Sequence, residues 1–203
     1  MFKASSKLDQ RIAGTGVPRV NGVVMFSVLT AARRRPNNFI ANIGCMAQIQ
    51  EWGPHIWAIL HYHAEYAGNS VMLPDEIRAW LAVLKHTEGI LACATCREHY
   101  RAWRQGHPIE EFVGRDRDTF RELLRKWLWD LHDYVNDHRE VPPERRLPFD
   151  ALASYKEIPR QEIFQRISTL KDVLHKAGLH RQINPVVVME WLRTLKFLQK
   201  LIF

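Results

Sequence analysis

Cysteine is scarce in this chain. Only Cys45, Cys93 and Cys96 occur among 203 residues, which excludes the disulfide-dense scaffold of small secreted proteins. Long apolar runs are also missing. None reaches the roughly 20 residues needed to span a bilayer, and the apolar stretch Val23–Ala32 is too short and too far in for the usual secretory signal peptide. Acids are nearly missing from the first quarter: residues 1–50 carry seven Lys and Arg against the single acid Asp9, a net +6. The whole chain is +7, so the remainder is almost balanced and gives little reason to expect a nucleic-acid-binding core. Strand-type alternation and internal repeats are absent too, which argues against sheet and solenoid architectures.

What is present is an ordinary globular composition, 46% hydrophobic and 25% charged, with a heavy complement of seven Trp. Residues 1–44 read as a basic, loosely structured extension, a mitochondrial presequence or a basic tail. Residues 45–149 read as a helical domain. Its first helix is expected from about Trp52-Gly53-Pro54, with Trp57, His61 and Ala64 on one face. A second starts at Pro74 with Asp75 as N-cap. A third opens at Cys93 and ends at Gly106-His107-Pro108. A fourth runs from Asp118 to Asn136, with Leu124, Trp127, Leu128, Leu131 and Val135 as its buried stripe. Residues 150–203 read as a C-terminal helical accessory region, with segments at Phe149–Tyr155, Pro159–Ala177 and Pro185–Phe203 and Gly178 as a C-cap. The fold class is therefore all-α: a four-helix bundle with a short fifth helix and an extra C-terminal block.

The pair Cys93-Ala94-Thr95-Cys96 stands at a predicted helix start. There the first sulfur lies near unpaired backbone N–H groups and the positive end of the helix dipole, both of which favour a thiolate, the form that attacks disulfides. Cys93 is expected to be the more exposed sulfur and Cys96 the deeper. A zinc site would need two further ligands, and no second close-spaced pair supplies them, so no metal is expected. Forming new disulfides requires an electron acceptor, for which a flavin is suited. Trp57 and His61 on one helix, with His132 and Asn136 on another, are groups that can sandwich flat rings and hydrogen-bond a ribose or pyrophosphate. His99 reads equally well as a flavin-side group and as a surface histidine.

Three ordered segments carry a resemblance: Trp52-Gly53 through Trp57 to Leu60-His61; Cys93-Ala94-Thr95-Cys96-Arg97-Glu98-His99-Tyr100; and Trp127 through His132-Asp133-Tyr134-Val135-Asn136. Over about residues 50–150 the chain resembles the Erv/ALR family of FAD-linked sulfhydryl oxidases. The resemblance implies a FAD-binding helical bundle, usually a homodimer, that oxidises the thiols of protein substrates and reduces dioxygen to hydrogen peroxide. By position it implies that Cys93 and Cys96 form the active disulfide, with Cys96 next to the flavin. It implies FAD contacts at Gly53, Trp57, His61, His132, Val135 and Asn136. Tyr66 falls where the family has a ribose- or flavin-side tyrosine, and Arg121 matches a recurring arginine. Arg146 stands in for a lysine that contacts the cofactor phosphates.

Two departures qualify the resemblance. Asp133 occupies the position of the motif's first Asn, which places an acid where the family has an amide. The second C-x-x-C that many members carry on a flexible tail is missing, and Cys45 is left over, so substrate thiols either reach Cys93 directly or use another protein as relay. The low cysteine count and the C-terminal block resemble the family's viral branch. Compartment stays open among cytosol, viral factory and mitochondrial intermembrane space. The competing reading is a degenerate helical adaptor that binds a protein or nucleic-acid partner through its basic extension.

Overall fold

The computed structural model describes residues 49–203. Cys45, Val23–Ala32, Arg33–Arg35 and the rest of the basic extension lie outside the described residues. Six α-helices follow in order: α1 (Ile49–Glu65), α2 (Leu73–Ile90), α3 (Ala94–Gly106), α4 (Arg117–His138), α5 (Arg160–Leu179) and α6 (Pro185–Ile202). Three 3-10 segments, Ile109–Phe112, Pro143–Arg145 and Phe149–Glu157, join them. No strand occurs among the described residues, so the fold is all-α.

Packing follows the apolar stripes. α1 lies on α4, α4 on α3 and α3 on α2, while α5 covers α1 and α6 covers α2. Phe120, Leu124, Trp127, Leu128 and Leu131 recur at three- and four-residue spacing and are buried, as an amphipathic helix requires. Val135, expected in the same stripe, is only half-buried. The C-terminal helices contribute Leu170, Leu174, Trp191, Leu195 and Leu198 to the same apolar core as α1–α4.

Several helix ends differ from expectation. α1 already includes Ile49, so Pro54 sits inside it rather than in its first turn. The amide that proline lacks would have bonded to the carbonyl of Gln50, which is exposed to solvent, so the lost bond falls where water can replace it. α2 begins after Met72, and Asp75 is not its cap but an acid in its first turn, where the helix dipole favours it. α4 is capped by Asp116, whose carboxylate accepts from the amides of Asp118 and Thr119 at 3.1 and 3.0 Å. Gly178 lies within α5 rather than after it. A Cβ there would come within 3.2 Å of Pro185 Cγ, so the tight α5–α6 turn is what uses the glycine.

The α1–α2 turn is fastened by polar groups. Gly68 has φ +78, and a Cβ there would meet the Arg117 carbonyl at 2.8 Å, so conformation and space both require glycine. The Gly68 and Ser70 amides donate to the buried Glu76 carboxylate at 2.7 and 3.1 Å. Arg117 donates to Gly68 O at 2.8 Å, and Arg121 Nε to Ala67 O at 2.7 Å.

Candidate active site

Cys93 is the N-cap of α3. Its extended backbone turns the chain out of α2, and the Cys96 amide donates to Cys93 Sγ at 3.3 Å. The sulfur thus takes the place of the oxygen that usually caps a helix. Cys93 is a free thiol. Both cysteines are half-buried against the core, so the expected contrast between an exposed and a deep sulfur does not appear. Arg97 straps the turn that precedes them: its amide donates to Cys93 O at 3.1 Å and its Nη1 to Leu91 O at 2.6 Å.

A second grouping joins α1 to α4. The Trp57 and His132 rings are stacked, with centroids 4.0 Å apart and planes 9° from parallel. His61 extends the stack, 5.5 Å from His132 and 5.8 Å from Trp57. His61 Nε2 and His132 Nδ1 are 3.3 Å apart and share a hydrogen bond. Burial, with His132 and Arg125 nearby, lowers the His61 pKa to about 3. Burial, with Arg139, lowers that of His132 to about 4. Both imidazoles are therefore neutral near pH 7. They offer flat faces and single N–H donors rather than a titrating acid or base.

Asn136 and His132, with Trp129, Asp133 and Leu147, line an adjacent shallow depression with essentially no enclosed volume. The Trp57 and His132 faces are closed on each other, so a flat ligand would reach them only by displacing that ring-on-ring contact. Tyr155, which sequence reasoning missed, lies over His61 at 5.0 Å. It comes from the 3-10 segment Phe149–Glu157, and no motif spacing marks it. Trp129 Nε1 donates to Leu147 O at 2.9 Å.

The remaining candidates are placed elsewhere. Tyr66 donates to Lys156 O at 3.2 Å and packs on Phe203, against the C-terminal block. Arg121 braces the α1–α2 turn. Gly53 is buried in α1, where a Cβ would meet Ile49 Cγ2 at an ordinary 3.4 Å. His99 joins Tyr134 and His138 between α3 and α4, not the His61–His132 stack. Arg146 pairs with Asp133 at 3.0 Å and Asp137 at 2.6 Å. The acid at the departed motif position is therefore matched by the arginine expected to meet phosphates. Among the described residues no group of three or more His, Cys, Asp or Glu could hold a metal ion, and no helix is long and apolar enough to cross a membrane.

Comparison with known families gives a match: the Erv1 / Alr family profile aligns with residues 54–150. Over this segment the chain belongs to the Erv1/Alr family. The segment runs from the second turn of α1 through α4 and the 3-10 segment Pro143–Arg145 to the start of Phe149–Glu157, and it includes the dithiol and the ring stack. Erv1/Alr proteins are typically thiol oxidases and generally flavin-linked. No curated protein and no solved structure matches the chain. Tyr155, α5 and α6 lie beyond the family segment.

Proposed function

We propose that the protein is a FAD-dependent sulfhydryl oxidase whose redox pair is Cys93–Cys96. The observation that carries this reading is the Cys96 amide donating to Cys93 Sγ at the start of α3, within a segment of Erv1/Alr type. A helix N-terminus favours a thiolate over a thiol, and the Cys96 amide is aimed at the sulfur that would carry that charge.

The chemistry begins with the pair oxidised. A substrate thiolate attacks Cys93 sulfur; the Cys93–Cys96 bond breaks and Cys96 leaves as a thiolate. A second substrate thiolate attacks the mixed disulfide, forming the substrate disulfide and releasing Cys93 as a thiolate. Two electrons now reside on the pair. Bound FAD would accept those two electrons and pass them to dioxygen, giving hydrogen peroxide.

The side-chain chemistry present suits such a group once the Trp57–His132 contact opens. Trp57, His61 and His132 supply neutral flat faces, and Asn136 an amide with donor and acceptor. Gly53 and Val135 are assigned to close approach on α1 and α4. Arg146 is assigned to the phosphates, in competition with Asp133 and Asp137. Tyr66 and Arg121 are assigned to holding the α1–α2 end of the site rather than to ring contact. Protein thiols are the substrate class, and a homodimer is the assigned assembly.

The test is an absorbance spectrum and an oxygen electrode. The purified protein is expected to be yellow and to consume oxygen with dithiothreitol, and Cys93→Ser and Cys96→Ser are each expected to abolish turnover. A colourless protein that takes up no FAD would instead favour an adaptor, and full activity in both variants would remove the dithiol from the mechanism.

A further inference from the structure

The C-terminal helices meet the bundle at the chain segment that leads into the dithiol. Three contacts in succession mark the joint. The Trp191 indole of α6 donates to the Thr87 hydroxyl at 3.1 Å, in a buried setting. Two residues on, Gly89 lets α6 come so close that a Cβ would stand 2.4 Å from Val187 Cγ1. Two residues further, Leu91 O accepts from Arg97 Nη1, and the same nitrogen reaches Gln182 O in the α5–α6 turn at 3.4 Å. That turn is itself constrained: Arg181 has φ +58, and the Gln182 amide donates to Ala177 O at 3.0 Å.

We infer that Arg97 is a positioning residue for the Cys93–Cys96 pair, and that residues 151–203 act through it to fix the geometry of the dithiol. This rests on the redox reading of the pair and adds a role for a region outside the family segment. The reason is geometric. Leu91, Ala92 and Cys93 connect two helices with almost no slack. Arg97 holds this connection from the α3 side by amide and guanidinium, and ties it to the α5–α6 turn by the same guanidinium. A planar guanidinium with several fixed N–H groups can bridge two carbonyls; a lysine ammonium on a flexible stem is a poorer bridge. With the tie intact, Cys93 stays where the Cys96 amide meets its sulfur and where the two sulfurs are preorganised to join.

The test measures disulfide closure in a Cys45→Ser background, so that only the pair titrates. The reduced pair and oxidised glutathione give the Cys93–Cys96 disulfide and two reduced glutathiones. Arg97→Ala is expected to lower this equilibrium constant about tenfold, the scale of one charge-assisted hydrogen bond. Arg97→Lys should lie near Arg97→Ala if bridging geometry matters; recovery of the native value by lysine would show that charge alone acts and would overturn the positioning role. Gly89→Ala should lower the constant by pushing α6 away, because β-branched Val187 has little rotamer freedom to yield. Adding Val187→Ala should restore it.

Amide hydrogen exchange over residues 92–97 of the reduced protein gives a second readout that needs neither flavin nor turnover. It should speed up in Arg97→Ala and Gly89→Ala. An unchanged equilibrium constant with unchanged exchange in both variants would overturn the inference. A wild-type pair that never closes in any glutathione buffer would instead sink the oxidase reading, and the exchange measurement would still decide whether the tie exists.

Discussion

The first two helices and the last two are built from different materials. All the buried polar residues among those described, His61, His63, Ser70, Glu76 and Thr87, belong to α1, α2 and the turn between them. The C-terminal block buries only apolar groups, among them Ile163, Leu170, Leu174, Trp191, Leu195 and Leu198. It meets the polar half where Trp191 reaches Thr87 and Gln199 reaches His63 Nε2 at 3.1 Å, and it meets α3 where Arg97 reaches Gln182 O. The difference teaches where specificity resides. Apolar burial is large but non-directional, so α5 and α6 supply cover, while the buried hydrogen bonds of α1 and α2 fix which face receives it.

The contrast can be broken from either side. Acid should act hardest, and on the polar half. His63 is fully buried, with Nδ1 2.6 Å from Ile59 O, and burial lowers its pKa to about 4; that of His61 is lowered to about 3. Because the folded values lie below the ordinary 6.5, the unfolded chain binds more protons between them. Stability is thus complete above pH 6.5 and falls as pH drops toward 4, by up to about 1.4 kcal/mol per pH unit for each histidine. Urea midpoints measured from pH 7 to 4 check this; a flat profile would show that these imidazoles are not held neutral.

Next in size is the cover. Trp191→Ala removes a fully buried indole and should cost about 3–5 kcal/mol, read as a lower denaturation midpoint. Trp191→Phe should cost less, since it keeps most of the packing and gives up the bond to Thr87. A smaller loss is expected at the start of α4, where Asp116→Ala removes an exposed cap and should lower the denaturation midpoint less than Trp191→Phe does. The smallest is Arg193→Ala. Its pair with Glu190 lies on the exposed side of α6, and such pairs contribute about 0–1 kcal/mol. A larger loss there would mean that the outer face of α6 is not simply solvated.

Much of the fold was legible because periodicity is a local property. The stripes Ile77–Trp80–Leu84 and Leu124–Leu128–Leu131 mark their helices without reference to partners, and Cys93 at a helix start was legible from the spacing of its motif. Helix ends were harder to read. Met72 precedes α2 although Asp75 is the better cap by type, because Glu76 in the first turn of α2 folds back to hold the Gly68 and Ser70 amides. Trp57, His61 and His132 were candidates on sequence grounds, but their mutual stacking depends on α1 crossing α4. Tyr155 carried no signal at all, since its relation to His61 spans 94 positions and follows no motif.

Residue order alone determined the helical class, the dithiol at a helix N-terminus and the set of flat aromatic and imidazole groups, since each depends on short-range spacing and side-chain chemistry. Tertiary structure decided that the imidazoles are neutral, that Asp133 is met by Arg146, and that the C-terminal helices reach the turn before Cys93. Desolvation, ion pairing and close packing arise only when segments distant in the chain exclude water together.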